Sequence, residues 1–156
     1  MKTDIGIADD RRQAIVAILN ALLADEYVLY TKTRNYHWNV TGPHFNDLHK
    51  MLEGQYEALA EIVDELAERA RSLGGRAWGT LAEFSQNTRL KERPGEAPPW
   101  REMLADLLGD HETLARQLRK DADRAAEAGD SGTNDMLVGM LEKHEKTAWM
   151  LRATLG

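Results

Sequence analysis

Between positions 49 and 68, a segment that also contains Glu57, Glu61 and Glu65, four side chains are candidate ligands for a transition metal: His49, Glu53, Asp64 and Glu68. Imidazole and carboxylate groups suit iron and other borderline divalent cations. If this segment is helical, a rotation of about 100° per residue places all four side chains on one side of the helix. His49 and Glu68 would then lie about 28 Å apart along the helix axis, which is too far for a single metal ion. The pattern indicates a metal site that one copy of the chain does not complete.

The same four residues are arranged symmetrically along the helix. The pair Glu53 and Asp64 and the pair His49 and Glu68 share one midpoint, at residues 58–59. Two copies of the helix that cross antiparallel at this midpoint would bring the histidine end of one chain to the acidic end of the other. A two-fold contact of this kind creates two equivalent sites at once.

His37 precedes this segment, near the predicted end of the first helix, and is expected to reach the same end as His49. The predicted site therefore takes His37, His49 and Glu53 from one subunit and Asp64 and Glu68 from its partner. A solvated acidic helix face is the competing interpretation, because carboxylates spaced four residues apart are common on exposed helices. On spacing alone, both interpretations stay open.

Hydrophobic periodicity predicts four long helices that must position these side chains. They cover approximately residues 9–36, 43–73 and 100–128, and a last helix for which Thr133 is the predicted N-cap. Gly74 and Gly75 mark the end of the second helix, and residues 74–99 form a long connection with a short helix predicted over residues 80–86. Four helices with one long crossover are typical of an all-α, ferritin-like bundle. We expect residues 1–156 to form a single domain with residues 1–8 as a short N-terminal extension.

Composition excludes several classes of function. The chain has 156 residues and no cysteine, so thiolate metal sites and cysteine nucleophiles are absent. The longest apolar run, residues 14–24, contains Asn20 and is too short to span a bilayer, so a cytoplasmic protein without membrane association is expected. The net charge is −6, and residues 1–12 carry three basic and three acidic side chains. Because such a surface repels nucleic acid, direct DNA binding is not expected.

One stretch, His37 to His49 (HWNVTGPHFNDLH), closely resembles a motif of the Dps family, the DNA-binding proteins from starved cells, also called miniferritins. Residues 55–57 and 63–69 resemble the second motif of that family, and residues 133–137 and 149–150 resemble its last helix. The similarity covers nearly the whole chain, and both motifs are highly specific.

The resemblance implies a homo-oligomeric shell of twelve subunits with a central cavity. It implies that Fe(II) is oxidised at inter-subunit sites, preferably by hydrogen peroxide, and that ferric oxyhydroxide is stored inside. By position, His37, His49, Asp64 and Glu68 match iron ligands of the family. Glu53 stands where many members carry Asp, so whether it binds iron directly or through water stays open. Since neutral imidazole is the ligand, iron loading is expected to weaken where histidine protonates.

Further candidates have competing structural interpretations. Trp38 is a candidate radical quencher beside the iron, or an aromatic residue that packs the end of the helix pair. In the family, the region of Glu127, Asp130 and Asp135 lines an acidic pore through which iron enters. Turn formation by Asp130 and helix N-terminal electrostatics at Asp135 would equally explain these acids. His44 is expected at the surface, and two further histidines, His111 and His144, are expected in the core.

Three alternative functions compete with the iron-storing ferroxidase. A di-iron oxidase inside one bundle needs Glu-x-x-His motifs, and the chain has none. A DNA-compacting cage would need divalent cations to bridge two acidic partners. An inert helical scaffold would lack the metal ligands that this chain retains.

Overall fold

The computed structural model describes residues 3–156, and all regular secondary structure in this range is helical. Five helices follow one another: α1 (Asp9–Asn39), α2 (Phe45–Ser72), α3 (Leu81–Asn87), α4 (Trp100–Glu127) and α5 (Ser131–Leu155). The four long helices form the bundle, and α3 lies in the crossover between α2 and α4. The predicted all-α, ferritin-like architecture is confirmed. Of the predicted N-terminal extension, residues 1–2 lie outside the described range, and residues 3–8 precede α1 without forming a helix.

The bundle consists of two helix pairs, because α1 packs mainly on α2 and α4 mainly on α5. Their apolar faces meet in one core whose fully buried side chains are mostly leucines, among them Leu19, Leu52, Leu104 and Leu118. Burial of each such side chain contributes about 1.5–3 kcal/mol relative to exposure. Among the described residues, α1 alone is long and apolar enough to suit a membrane span. In this fold, the apolar side of α1 is buried against the other helices.

Two buried polar residues of α1 hold the crossover in place. Asn20 donates to the carbonyl of Arg76 (2.9 Å) and accepts from the backbone N–H of Trp78 (2.9 Å). Asp25 accepts from the backbone N–H and Nε of Arg89, both at 2.6 Å. The predicted short helix is confirmed as α3, which Thr80 and Glu83 start with a reciprocal capping box.

The helix ends show why glycine follows α2 and α4. Gly74 and Gly129 have φ values of 84° and 78°, a conformation that L-residues with a side chain rarely adopt. In each case the next residue donates its N–H back across the last turn, from Gly75 to Ala70 (3.0 Å) and from Asp130 to Ala125 (2.9 Å). Both ends are therefore Schellman motifs.

The predicted N-cap of α5 was wrong. Asp130 caps this helix and accepts from the backbone N–H of Thr133 (3.0 Å), whose hydroxyl also donates to Asp130 (2.5 Å). Asp130 rather than Thr133 is the cap because its carboxylate also accepts a hydrogen bond from Nη2 of Arg69 in α2, at 2.6 Å. Burial raises the pKa of Asp130, but the Thr133 hydrogen bonds and the charge of Arg69 outweigh it and hold the pKa below the ordinary value. The start of α2 also differs, since Pro43 lies in a turn before Phe45 rather than in the first helical turn.

Candidate metal centre

His37 and His49 hold each other where the end of α1 meets the start of α2. Nδ1 of His37 lies 2.8 Å from the carbonyl oxygen of His49, and Nδ1 of His49 lies 2.9 Å from the carbonyl oxygen of His37. The two rings stack with their centroids 3.7 Å apart. This reciprocal pairing brings together two of the predicted ligands, although they are twelve positions apart in the sequence.

The pairing determines which ring nitrogen is available to a metal. A carbonyl oxygen only accepts hydrogen bonds, so each Nδ1 must carry the proton that it donates. In the neutral ring, Nε2 then keeps its lone pair, which is the form that binds a divalent metal. Hydrogen bonding from the opposite ring nitrogen is the usual way in which proteins orient metal-binding histidines. The chain therefore holds two imidazole rings side by side, each with Nε2 available as a metal ligand.

Each histidine of the pair also contacts one aromatic ring. Tyr56 stands edge-on to His37 with centroids 5.2 Å apart, and Phe45 lies 5.1 Å from His49. Trp38 does not pack into the helix pair: its side chain is 63% exposed, and the guanidinium of Arg34 lies 5.1 Å from its ring centroid. An exposed indole beside His37 remains compatible with the predicted radical quencher.

The acidic half of the predicted site lies at the other end of α2. Glu53 is half-buried one turn after His49, whereas Asp64 and Glu68 are exposed. Because α2 is continuous from Phe45 to Ser72, His49 and Glu68 are about 28 Å apart. Within residues 3–156, no three His, Cys, Asp or Glu side chains are grouped so that they could hold a metal ion. A centre built from the predicted ligands needs a second chain.

The three acids predicted to line an entry pore are placed differently from one another. Glu127 and Asp135 are exposed at the α4–α5 turn, while Asp130 is 2% exposed and engaged in capping α5 and pairing with Arg69. The structure thus gives Asp130 a structural role inside the chain. The pore itself stays a prediction for the assembled protein. His44 precedes α2 at the surface, as expected, with its ring 5.4 Å from that of Trp100.

One buried acidic residue, Glu26, was not predicted from the sequence. Glu26 of α1 is fully buried, and it lies beside His144 of α5. The signal was present in the sequence, because Glu26 lies four residues after Leu22 and three before Leu29, on the apolar face of its helix. His111 and His144 are in the core as expected and pair with each other.

Comparison with known proteins agrees with this architecture. The family model of the ferritin-like domain matches residues 16–156. A low temperature-induced protein of Nostoc is 46% identical over 97% of this chain and 86% of its own length. The DNA protection during starvation protein of Brevibacillus brevis is 38% identical over 99% of both chains. The chain belongs to the Dps family.

A solved Dps structure gives the same result at the level of the fold. The Dps protein of Vibrio cholerae superposes with a TM-score of 0.94 at 33% identity, covering 100% of this chain and 98% of its own. That protein is described as a member of a broad superfamily of ferritin-like diiron-carboxylate proteins. Membership of the Dps family therefore extends over the whole bundle, including both helices that carry the candidate ligands.

Proposed function

We propose that this Dps protein is an iron-storing ferroxidase whose sites are shared between two copies of the chain. Fe(II) is the substrate, hydrogen peroxide the preferred oxidant, and ferric oxyhydroxide the product stored in a hollow homo-oligomeric shell. The observation that carries the proposal is the His37–His49 pair, which orients two imidazole donors at one end of α2 while the acidic donors lie at its other end. The diiron-carboxylate description of the Vibrio Dps supports iron as the metal.

The chemistry follows from the donor set. His37 and His49 supply neutral nitrogen, and the carboxylates of Glu53, Asp64 and Glu68 offset the positive charge gained as Fe(II) becomes Fe(III). One peroxide takes one electron from each of two ferrous ions and, with two protons, becomes two waters. Because no single-electron cleavage of peroxide occurs, hydroxyl radical is not released. The protein would thereby protect the cytoplasm from oxidative damage while it stores iron.

Assembly is supported by the surface of the isolated chain. Large apolar side chains are exposed at several places, namely Ile5, Trp38, Phe45, Leu81, Val138, Trp149 and Met150. Exposed apolar side chains of this size are typical of surfaces that become buried by a partner. We propose that copies of the chain cover them in a dodecameric shell.

The decisive experiment compares iron oxidation in the wild type and in an Asp64→Ala/Glu68→Ala variant. Purified protein is loaded anaerobically with Fe(II), peroxide is added, and the ferric absorbance is followed. We expect a fast rise in the wild type that is lost in a still-assembled variant. A Glu142→Ala/Glu145→Ala variant is the matched control, since it removes the same charge from exposed positions of α5. Equal rates in all three proteins, no faster than iron in buffer, would reject the proposal in favour of an inert scaffold.

DNA compaction is the second candidate, favoured by the name of the Brevibacillus relative, a DNA protection protein. The net charge of −6 makes bridging by divalent cations the physically reasonable route. Retardation of plasmid DNA with magnesium but not without it would support this role. No retardation under either condition would leave iron chemistry as the route of protection.

A further inference from the structure

A polar layer crosses the apolar core of the bundle, with one residue from each long helix: Glu26 (α1), Gln55 (α2), His111 (α4) and His144 (α5). Within residues 3–156, seven buried side-chain nitrogen or oxygen atoms have no hydrogen-bond partner, and six of them belong to this layer. Buried polar atoms are almost always paired in folded proteins. Their concentration at one level of the core therefore calls for a specific explanation.

The contacts within the layer form a line from α1 to α4. Oε1 of Glu26 lies 2.9 Å from Nε2 of His144, and Nδ1 of His144 lies 2.8 Å from Nδ1 of His111. The side chains are 0%, 1% and 2% exposed, respectively. Both oxygens of Glu26 and the Nε2 atoms of both histidines lack hydrogen bonds. The Glu26–His144 contact has the distance of an ion pair but not the geometry of a hydrogen bond, and Oε2 of Glu26 and Nε2 of His111 also lack hydrogen bonds.

The Glu26–His144 contact has the separation of two ligands on one metal ion. Nitrogen and oxygen ligands stand about 2.0–2.2 Å from a divalent transition metal, so two of them at a right angle are about 2.9 Å apart. A hydrogen bond could have the same length, but here neither Oε1 nor Nε2 has hydrogen-bond geometry. A fully buried carboxylate without hydrogen bonds must either take up a proton or lie beside a cation. Two converging lone pairs fit a metal ion better than a shared proton.

His111 contacts the side of the His144 ring that faces away from Glu26. The two Nδ1 atoms lie 2.8 Å apart, so one of them donates the proton that the other accepts. When Nδ1 of His144 is the donor, the lone pair of His144 stays at Nε2, facing Glu26. A metal-binding histidine usually donates its other N–H in this way.

Space for water exists at the same level. A cavity of about 20 Å³ has Gln55, His111, Lys143 and His144 among its lining residues. The Lys143 side chain is half exposed, and its amine lies 3.9 Å from the carboxylate of Glu65. The volume of the cavity suits a single water molecule, and the amide of Gln55 supplies both a donor and an acceptor. No third His, Cys, Asp or Glu among residues 3–156 completes the group. Both oxygens of Glu26 lack hydrogen bonds, so a bidentate carboxylate, Nε2 of His144 and this single water would supply the four ligands of a tetrahedral site.

We propose that each bundle holds a single divalent transition-metal ion in its core, with the Glu26 carboxylate and Nε2 of His144 as its protein ligands. Mixed oxygen and nitrogen donors select ions of the zinc, cobalt or ferrous type over calcium or magnesium. The site is distinct from the one shared between subunits and does not depend on it. It holds one ion rather than an iron pair, because the chain lacks the Glu-x-x-His motifs that a di-iron bundle needs.

The test uses Co²⁺ as the probe in the assembled protein, after removal of bound metal by a chelator. The Asp64→Ala/Glu68→Ala variant serves as background, so that inter-subunit binding is reduced in every arm. Crystals of this variant soaked in Co²⁺ are expected to show an anomalous peak between Glu26 and His144. No peak in the core, at a concentration that fills surface sites, would overturn the proposal.

Variants in the same background give a second readout in solution. We expect Glu26→Gln to remove about one bound Co²⁺ per chain, measured by elemental analysis after gel filtration. His111→Phe keeps both ligands and is expected to weaken Co²⁺ binding about 10–100-fold. Glu142→Gln removes an exposed carboxylate of α5 and should leave core binding unchanged. Equal Co²⁺ content in Glu26→Gln and Glu142→Gln would reject the site, and if Glu26→Gln does not assemble, the anomalous map alone decides.

Discussion

Asp130 is a single residue with two structural roles. Its carboxylate caps α5 through Thr133 and pairs with Arg69 of α2, so it ties the α4–α5 turn to the opposite helix pair. The next acid along α5, Asp135, is exposed and has no such contacts within residues 3–156. The two carboxylates therefore contribute differently to the stability of the fold, although both were predicted to line the pore.

Asp130→Ala is expected to destabilise the protein clearly, and Asp135→Ala is not. Loss of an N-cap costs about 0.5–2 kcal/mol, and the variant also removes the acidic partner of Arg69, which keeps only its hydrogen bond to the Thr133 hydroxyl. Surface substitutions usually stay within about 0.5 kcal/mol. Thermal unfolding midpoints at one fixed protein concentration measure both effects. Equal midpoints for the two variants would contradict the assigned role of Asp130.

The stability that Asp130 contributes is expected to depend on pH. Its pKa is held below the ordinary value of 3.8, so the folded state favours the ionised carboxylate. The contribution is then complete above the unfolded-state pKa and is lost as pH falls through the lower folded-state pKa. Midpoints of the wild type and Asp130→Asn should differ by a constant amount above about pH 5 and converge below about pH 4. A difference that grows on acidification would show that the sign is wrong.

At the scale of the elements, the end of α2 depends on two adjacent glycines with different tasks. Gly74 supplies the positive φ, whereas Gly75 allows α1 to approach closely. A Cβ at Gly75 would lie 2.7 Å from Cγ2 of Val16 and closer still to Cγ1. Val16 is β-branched and buried, so it has little freedom to turn away.

Gly75→Ala is therefore expected to cost about 1–3 kcal/mol through overpacking. Val16→Ala removes the clashing methyl groups, so the double variant should lose less stability than the sum of both single variants. Gly109→Ala is the control, because a Cβ at this position in the middle of α4 would meet no atom within 4 Å apart from its chain neighbours and the nearby backbone of its own helix. That control should be neutral or stabilising by up to about 1 kcal/mol. Strictly additive effects of Val16→Ala and Gly75→Ala would exclude the proposed contact.

At the scale of the whole molecule, the central question is whether the donors of one ferroxidase site come from two chains. The straight course of α2 separates His49 from Glu68 inside a chain, and the shared midpoint at residues 58–59 favours a two-fold crossing. Two variant chains, one without the histidine ligands and one without the acidic ligands, should then form an intact site when they pair. Sites confined to one chain would not allow this.

Co-assembly of a His37→Ala/His49→Ala chain with an Asp64→Ala/Glu68→Ala chain is expected to restore iron oxidation. Random pairing at a two-fold contact regenerates about a quarter of the wild-type sites, because only mixed pairs contain one intact site. Each variant assembled alone serves as the inactive control, and the initial rate of Fe(II) oxidation by peroxide is the measurement. A mixed shell no more active than its parents would refute a site shared between chains.

The sequence by itself determined the helices and the surface chemistry of α2. Hydrophobic periodicity, the Gly74–Gly75 stop and the prolines at positions 94, 98 and 99 before α4 are local signals. They suffice for the helices because the backbone hydrogen bonds of a helix join residues close in sequence. The candidate metal-binding face of α2 could also be predicted from the sequence, because the direction of each side chain along a helix follows from residue spacing alone.

Only the tertiary structure decided which polar groups meet. The Asp130–Arg69 pair, the reciprocal His37–His49 hydrogen bonds and the Glu26–His144 contact join different helices, with sequence separations that periodicity does not encode. Thr133 was the reasonable cap from its neighbours alone, and Asp130 replaced it because a residue 61 positions away supplied a second partner. Glu26 was overlooked because its ligand-like neighbour lies on the last helix, and packing of the four helices alone brings the two together.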